Sequence, residues 1–222
     1  MSFSNGPTVV TNGLVLALDA GDRNSYVSGS TTWIDLAGTN NGTLTNGPTF
    51  NTGSGGSIVF DGVDDRVQTS YGPNLGDFTV CVWFKSNSTT DYGRLVDKSY
   101  TGGFWLGRQS STPNSFGGGI LEPNSPYGIY LTLPDNQWNF LTSIRSNTTH
   151  ILYGNGITNT ISNTVPSSLL DSTTLAIGAW SGGTYSSQVF NGNIAITQLY
   201  NRALSQAEVL QNYNATKGRF GL

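Results

Sequence analysis

Apolar and polar residues alternate with period two in short runs separated by clusters of Gly, Asn, Ser, Thr and Pro, the pattern of strands that show one face to a core. The runs are 13–21 (GLVLALDAG), 57–62 (SIVFDG), 77–86 (DFTVCVWFKS), 102–108 (GGFWLGR), 128–133, 137–145, 149–157, 174–180 and 193–201. In DFTVCVWFKS, Phe78, Val80, Val82 and Phe84 fall on one side and Thr79, Cys81, Trp83 and Lys85 on the other. Both sides are partly apolar, which predicts a central strand. Asn155-Gly156 can take the positive φ values of a primed turn, so Ile151–Tyr153 is expected to pair with Ile157 onward. One helix is predicted, over 205–214. Ser205 and Glu208 have capping-box spacing, Val209, Leu210 and Tyr213 form an apolar stripe, and Gly218 lies beyond. The Gly/Ser/Asn-rich stretches 38–56 and 109–119 are predicted loops. The pattern as a whole is that of an all-β antiparallel sandwich or barrel with one short C-terminal helix, in a single domain over 1–222.

Composition narrows the function classes. Charged residues are 10% of the chain and the net charge is −3, with Lys and Arg scattered singly. No basic stripe can neutralise phosphates or anionic lipid, so neither nucleic acid nor membrane is an expected partner. The N-terminus has no basic region followed by an apolar one, and no run of apolar residues is long enough to span a bilayer, so no export signal and no membrane span are expected. Cys81 is the only cysteine, which excludes an internal disulfide or thiolate zinc site; it reads as a small buried residue.

The catalytic search returns little. His150, the only histidine, stands in a strand-like Thr-His-Ile-Leu run and is read as a half-exposed strand residue. Glu122 lies near prolines and Glu208 at the helix cap, so no strand presents the paired carboxylates of glycoside hydrolysis, and a non-enzyme is expected. FDGVDDRV (60–67) places Asp61, Asp64 and Asp65 around Gly62. Two readings stay open: acids that hydrogen-bond their own backbone in a tight turn, or oxygen ligands for calcium. The first leads to the expectation of no cofactor. Among the tryptophans, Trp138 shares a face with Phe140 and Ile144 and reads as core. Trp105 and Trp180 stand opposite their strands' aliphatic residues, beside glycines, and are candidates for an exposed sugar or partner platform, with core or inter-subunit packing as the alternative. Phe220 and Leu222 end the chain; they either contact a partner or fold back onto the domain.

The segments 13–21, 31–50, 55–67, 78–85, 152–156 and above all 192–222, with YNRALS, QNY and KGRFGL, make the chain similar to the concanavalin A-like, laminin G-type jelly rolls. They resemble in particular the short versions that are structural proteins of tailed bacteriophages, cyanophages included. The resemblance implies a two-sheet antiparallel jelly-roll sandwich displayed on a virion surface, most simply as a capsid decoration protein, with a tail-associated receptor-binding lectin as the alternative. It further implies contacts with other virion proteins and host-surface glycans. A small homo-oligomer, a trimer ahead of a dimer, suits a surface poor in charge and rich in polar and aromatic residues. The resemblance also implies an occasional structural calcium, for which Asp19, Asp61 and Asp64 are the ligand set. Ala195 stands where many relatives carry an acid, which weakens that implication.

Overall fold

The computed structural model describes residues 7–73, 76–87, 92–98, 102–109, 112–122, 125–159, 165, 173–182 and 188–222, with the backbone alone at 121–122, 125–127 and 157–159. In chain order the first strands are β1 (Leu14–Asp19), β2 (Thr32–Trp33), β3 (Gly42–Thr45), β4 (Thr49–Asn51), β5 (Ser57–Asp61), β6 (Arg66–Thr69), β7 (Phe78–Ser86) and β8 (Arg94–Lys98). There follow β9 (Phe104–Arg108), β10 (Ser115–Glu122), β11 (Ser125–Thr132), β12 (Asn139–Ser146), β13 (Thr149–Gly154), β14 (Ile157–Asn159), β15 (Ala176–Ile177) and β16 (Asn191–Tyr200). Helix α1 (Gln206–Thr216) and a 3-10 turn, Lys217–Phe220, close the chain.

The strands form two antiparallel sheets. The first runs β14-β13-β12-β7-β16-β5-β4, with β1 also paired to β16; the second runs β11-β10-β9-β8-β15-β6-β3-β2. This is the two-sheet jelly-roll sandwich with one C-terminal helix that the resemblance implies. As the alternation predicts, β7 is central. Phe78, Val80, Val82 and Phe84 enter the core between the sheets, while Cys81 and Trp83 enter a second cluster under the helix. Asn155 and Gly156 take φ values of 50° and 78° and close the predicted hairpin, in which Tyr153 faces Thr158.

The loops predicted at 38–56 and 109–119 are corrected: the first contains β3 and β4, the second most of β10. Glycines hide β10 from propensity reasoning, because Gly117, Gly118 and Gly119 are there to be covered by larger neighbours. A Cβ on Gly119 would collide with the Trp105 indole. His150 is fully buried rather than half-exposed; its Nε2 lies 2.7 Å from Ser143 Oγ, between the sheets.

Helix α1 carries the predicted capping box at Ser205 and Glu208. Glu208 also binds Arg202 at 2.5 Å, and that hydrogen bond holds its carboxyl down at about 2. The buried stripe differs from the predicted one. Val209 and Asn212 are buried and Leu210 is exposed, because Asn212 joins the N-terminus (Val10 N to Oδ1, 2.8 Å) to Tyr200 OH (2.9 Å). Replacing Ser205 by alanine should cost about 1 kcal/mol of stability in urea unfolding, the usual worth of an N-cap. Among the described residues no helix is long and apolar enough to cross a membrane.

Candidate functional site

The aromatic and acidic candidates are partly gathered and partly dispersed by the fold. On β9, Phe104 and Leu106 face the inter-sheet core, so Trp105 lies on the outer face of the second sheet. It is not an open platform, however. The Arg94 guanidinium lies 4.1 Å over its ring, Tyr130 flanks it at 6.0 Å, and 5% of the residue is exposed. Arg94 is held there by Asp97, 3.4 Å away, the register partner of Trp105. Ser181 donates from its N and Oγ to the same Asp97 carboxylate, at 3.0 and 2.6 Å, which brings the half-buried Trp180 segment to this strand.

Phe220 does not point outward. Its ring stacks on Trp83 at 4.1 Å and touches Trp138 at 4.7 Å, so it is a wedge between the helix and the first sheet. Leu222, by contrast, is exposed. Arg219, just before Phe220, reaches back across the chain: its Nη1 lies 2.5 Å from Asp19 Oδ1, its Nε donates to Ser54 O at 2.7 Å, and Nη2 donates to Gly56 O. Asp19 is therefore engaged by a guanidinium and stands outside the acidic turn. The ligand set Asp19, Asp61 and Asp64 is not assembled; the three carboxylates that do converge are Asp61, Asp64 and Asp65, with oxygens within 4.8 Å of one another.

That turn shapes itself with its own acids. Asp61 Oδ1 accepts from Val63 N at 2.8 Å and Asp65 Oδ2 accepts from Asp61 N at 3.0 Å. Gly62 takes a φ of +81°, with Asn191 packed against it. Burial pushes the Asp65 carboxyl up, and the charges of Asp61 and Asp64 add to the effect against the backbone hydrogen bond from Asp61.

A concave surface opens where the chain crosses from β3 in the second sheet to β4 at the edge of the first. Two adjoining hollows of about 460 and 340 Å³ share Tyr26, Ser28 and Phe50. Tyr26 and Phe50 set their rings 5.3 Å apart to make the floor. Ser30, Thr31, Thr49 and Thr52 line the sides, with the Ser30 hydroxyl bonded to the Thr32 backbone, and Arg23 stands exposed at one end. The 20–31 wall is rigid for local reasons. Ser25 Oγ donates to Ile34 O at 2.6 Å, Asp22 Oδ1 accepts from Asn24 N at 2.8 Å, and Tyr26 OH donates to Ser30 O at 2.9 Å. The Arg219 clamp on Asp19, Ser54 and Gly56 fixes the opposite end. A ring floor with hydroxyls and one guanidinium is the chemistry that holds a sugar ring by its apolar face and its hydroxyl groups. Sequence reasoning missed Tyr26 and Phe50. The only signal was an aromatic residue inside a Gly/Ser/Pro-rich stretch, where strand packing does not demand one.

Residues 60–210 match the family described as the concanavalin A-like lectin/glucanases superfamily. No curated protein matches the chain in sequence. Among solved structures, the chain is similar to the binding domain of Botulinum neurotoxin DC in complex with rat synaptotagmin II. The two share 16% identity with a TM-score of 0.72, over 93% of this chain and 52% of that one. The same toxin domain in complex with SialylT matches equally. Domain 4 of AbnA, a GH43 extracellular arabinanase from Geobacillus stearothermophilus, in complex with arabinotriose, matches with 16% identity and a TM-score of 0.67 over 90% of this chain and 98% of that domain. The chain thus spans about half the length of the toxin domains and nearly all of the arabinanase domain. At such identities the likeness is one of fold.

Proposed function

The chain belongs to the concanavalin A-like lectin/glucanases superfamily, and on that footing we propose that it is a non-enzymatic, lectin-like binding domain that takes a saccharide in the Tyr26–Phe50 groove. The observation that carries this reading is the pair of rings at 5.3 Å flooring an open hollow lined in part by serine and threonine. The arabinotriose complex of a domain with this fold supports a sugar as the ligand class. A binding role is favoured over hydrolysis because the described residues lining the groove include no carboxylate and no histidine, and Glu208 is tied to Arg202. Glu122 has its side chain outside the described residues.

The finer reading is a protein displayed on the surface of a tailed bacteriophage particle, decorating the capsid and adhering to host glycans through this groove. Its support is the C-terminal resemblance, whose KGRFGL segment builds the Arg219 clamp and the Phe220 wedge. The tail-associated receptor-binding lectin shares all of these features and differs in place. A homo-oligomer, a trimer ahead of a dimer, would use exposed apolar residues such as Leu222 at its contacts.

The test is a panel of immobilised bacterial polysaccharides and oligosaccharides. Binding is expected that weakens at least tenfold in Phe50→Ala, with no release of reducing ends. Equal binding by Phe50→Ala would move the site elsewhere, and turnover would reverse the non-enzymatic reading. A map of the particle that places the chain only at the tail tip would replace the capsid assignment.

A further inference from the structure

The Tyr26–Phe50 groove is electrically uneven, and its two ends select among the saccharides it could take; this inference rests on the saccharide reading of that groove. One end is cationic. Arg23 lines the first hollow, is exposed, and among the described residues is ion-paired to no carboxylate. The two acids nearest to it in sequence are already engaged. Asp22 Oδ1 accepts from Asn24 N at 2.8 Å and from Asn24 Nδ2 at 3.0 Å, and Asp19 is held by Arg219. Asp22 O accepts from Ser25 N at 2.9 Å and from Tyr26 N at 2.8 Å, so Arg23 stands at the apex of a closed turn and its side chain starts from a fixed point. Tyr26, which ends that turn, is half of the ring floor, so guanidinium and ring are carried on one rigid segment.

The other end is anionic. Gly47 lines the second hollow, and a Cβ built on it would meet only Asp65 Oδ1, at 3.8 Å, so Gly47 puts no side chain between that carboxylate and the hollow. Asp61 and Asp64 add carboxylate oxygens within 4.8 Å of those of Asp65. Three acids at this end disfavour an anion where Arg23 attracts one. Between the two ends the lining is uncharged.

We propose that the groove takes an oligosaccharide with one carboxylate-bearing sugar at its end, seated against Arg23, and neutral units running over the Tyr26 and Phe50 rings towards Gly47. One guanidinium balances the single charge of a sugar carboxylate and meets its two oxygens with a matching fork of N–H donors. Arg23 is then the specificity-determining residue, and the acidic turn sets the direction of the sugar chain.

Isothermal titration with a set of bacterial oligosaccharides that end in one uronic acid, each beside its carboxyl-reduced counterpart, tests this. The acidic form is expected to bind about fivefold tighter at low salt, the worth of one exposed ion pair, with a margin that shrinks as salt is added. Arg23→Gln should bind both forms equally, at the affinity of the reduced one and with an unchanged melting temperature, because the side chain is exposed and unpaired. Oligosaccharides carboxylated on every unit should bind more weakly than singly carboxylated ones, and Asp64→Asn should narrow that gap. Equal affinity for acidic and reduced forms, or a margin that survives in Arg23→Gln, would overturn the proposal, while continued weakening of both forms by Phe50→Ala would leave the groove reading in place. Binding of both forms untouched by Phe50→Ala, or no heat with any member of the set, would overturn the groove reading and this proposal with it. Tightest binding of the fully carboxylated form would overturn the assigned direction.

Discussion

Phe220→Ala should lower stability by about 3 kcal/mol, the lower part of the range for emptying a buried aromatic site. The ring fills the space between Trp83 and Trp138, and Trp83 is in turn shared with Phe140 at 5.2 Å and Tyr213 at 5.7 Å. Trp83 Nε1 also donates to Thr216 Oγ1 at 2.8 Å, so the same indole anchors the end of the helix. Removing the wedge therefore leaves a hollow at the junction of β7, β12 and α1, and these elements are too firmly paired to collapse into it. Leu222→Ala, two residues further on, should stay within about 0.5 kcal/mol, because that side chain is exposed. Urea unfolding of the two variants measures the difference. Equal effects would mean that the end of the chain does not hold the helix to the sheet.

The second large effect is a loss of stability in mild acid that traces to His150. Burial between the sheets pulls its imidazole down to about 4 from an ordinary value of 6.5. The folded state therefore stays neutral where the unfolded chain takes up a proton. Since the unfolded state binds more protons between these two values, stability rises with pH across that window. The contribution is whole above pH 6.5 and is lost as pH falls towards 4, amounting to about 3 kcal/mol at one pKa unit per 1.4 kcal/mol. In a chain of this size that corresponds to a melting temperature lower by roughly 5–10 °C. Glu208 adds a separate loss below 4.5, as its carboxyl, held at about 2 by Arg202, is protonated. His150→Gln keeps a polar partner for Ser143 but cannot charge, so its melting temperature should be nearly flat from pH 6.5 to 4.5, although lower than the parent's at neutrality. A variant that kept the parent's slope would assign the acid sensitivity to another group.

Much of the fold was legible because its signals are local. The two-sided alternation of 78–84 marks β7 as central, the Asn155-Gly156 pair marks the hairpin, and Ser205 with Glu208 marks the helix start; each depends on residues within a few positions of one another. The strands that escaped are those whose local signal is weak. β10 is paved with glycines that make sense only under Trp105 and Tyr130, while β3 and β4 lie in a stretch where Gly, Asn and Thr obscure the period. The candidate site was less legible. Trp105 was visible as an odd aromatic on an outward face, but its cover, Arg94, comes from another strand. Tyr26 and Phe50 meet only because the chain changes sheets between β3 and β4. In the sequence Asp65 is one of three acids around Gly62, and burial is what singles it out.

By itself the sequence determined the class of architecture, the central strand, the hairpin, the capped helix and the acidic character of the 61–65 turn. These follow from side-chain period, turn stereochemistry and capping, which act over short distances along the backbone. Only the tertiary structure decided which residues share a site. It sent Arg219 across the length of the chain to Asp19 and so removed Asp19 from the acidic turn. It also turned Phe220 inward onto Trp83 and buried His150 beside Ser143. The physical reason is common to all three: burial and charge pairing are properties of the neighbours that folding brings together, and those neighbours are set by the closure of two sheets over one core.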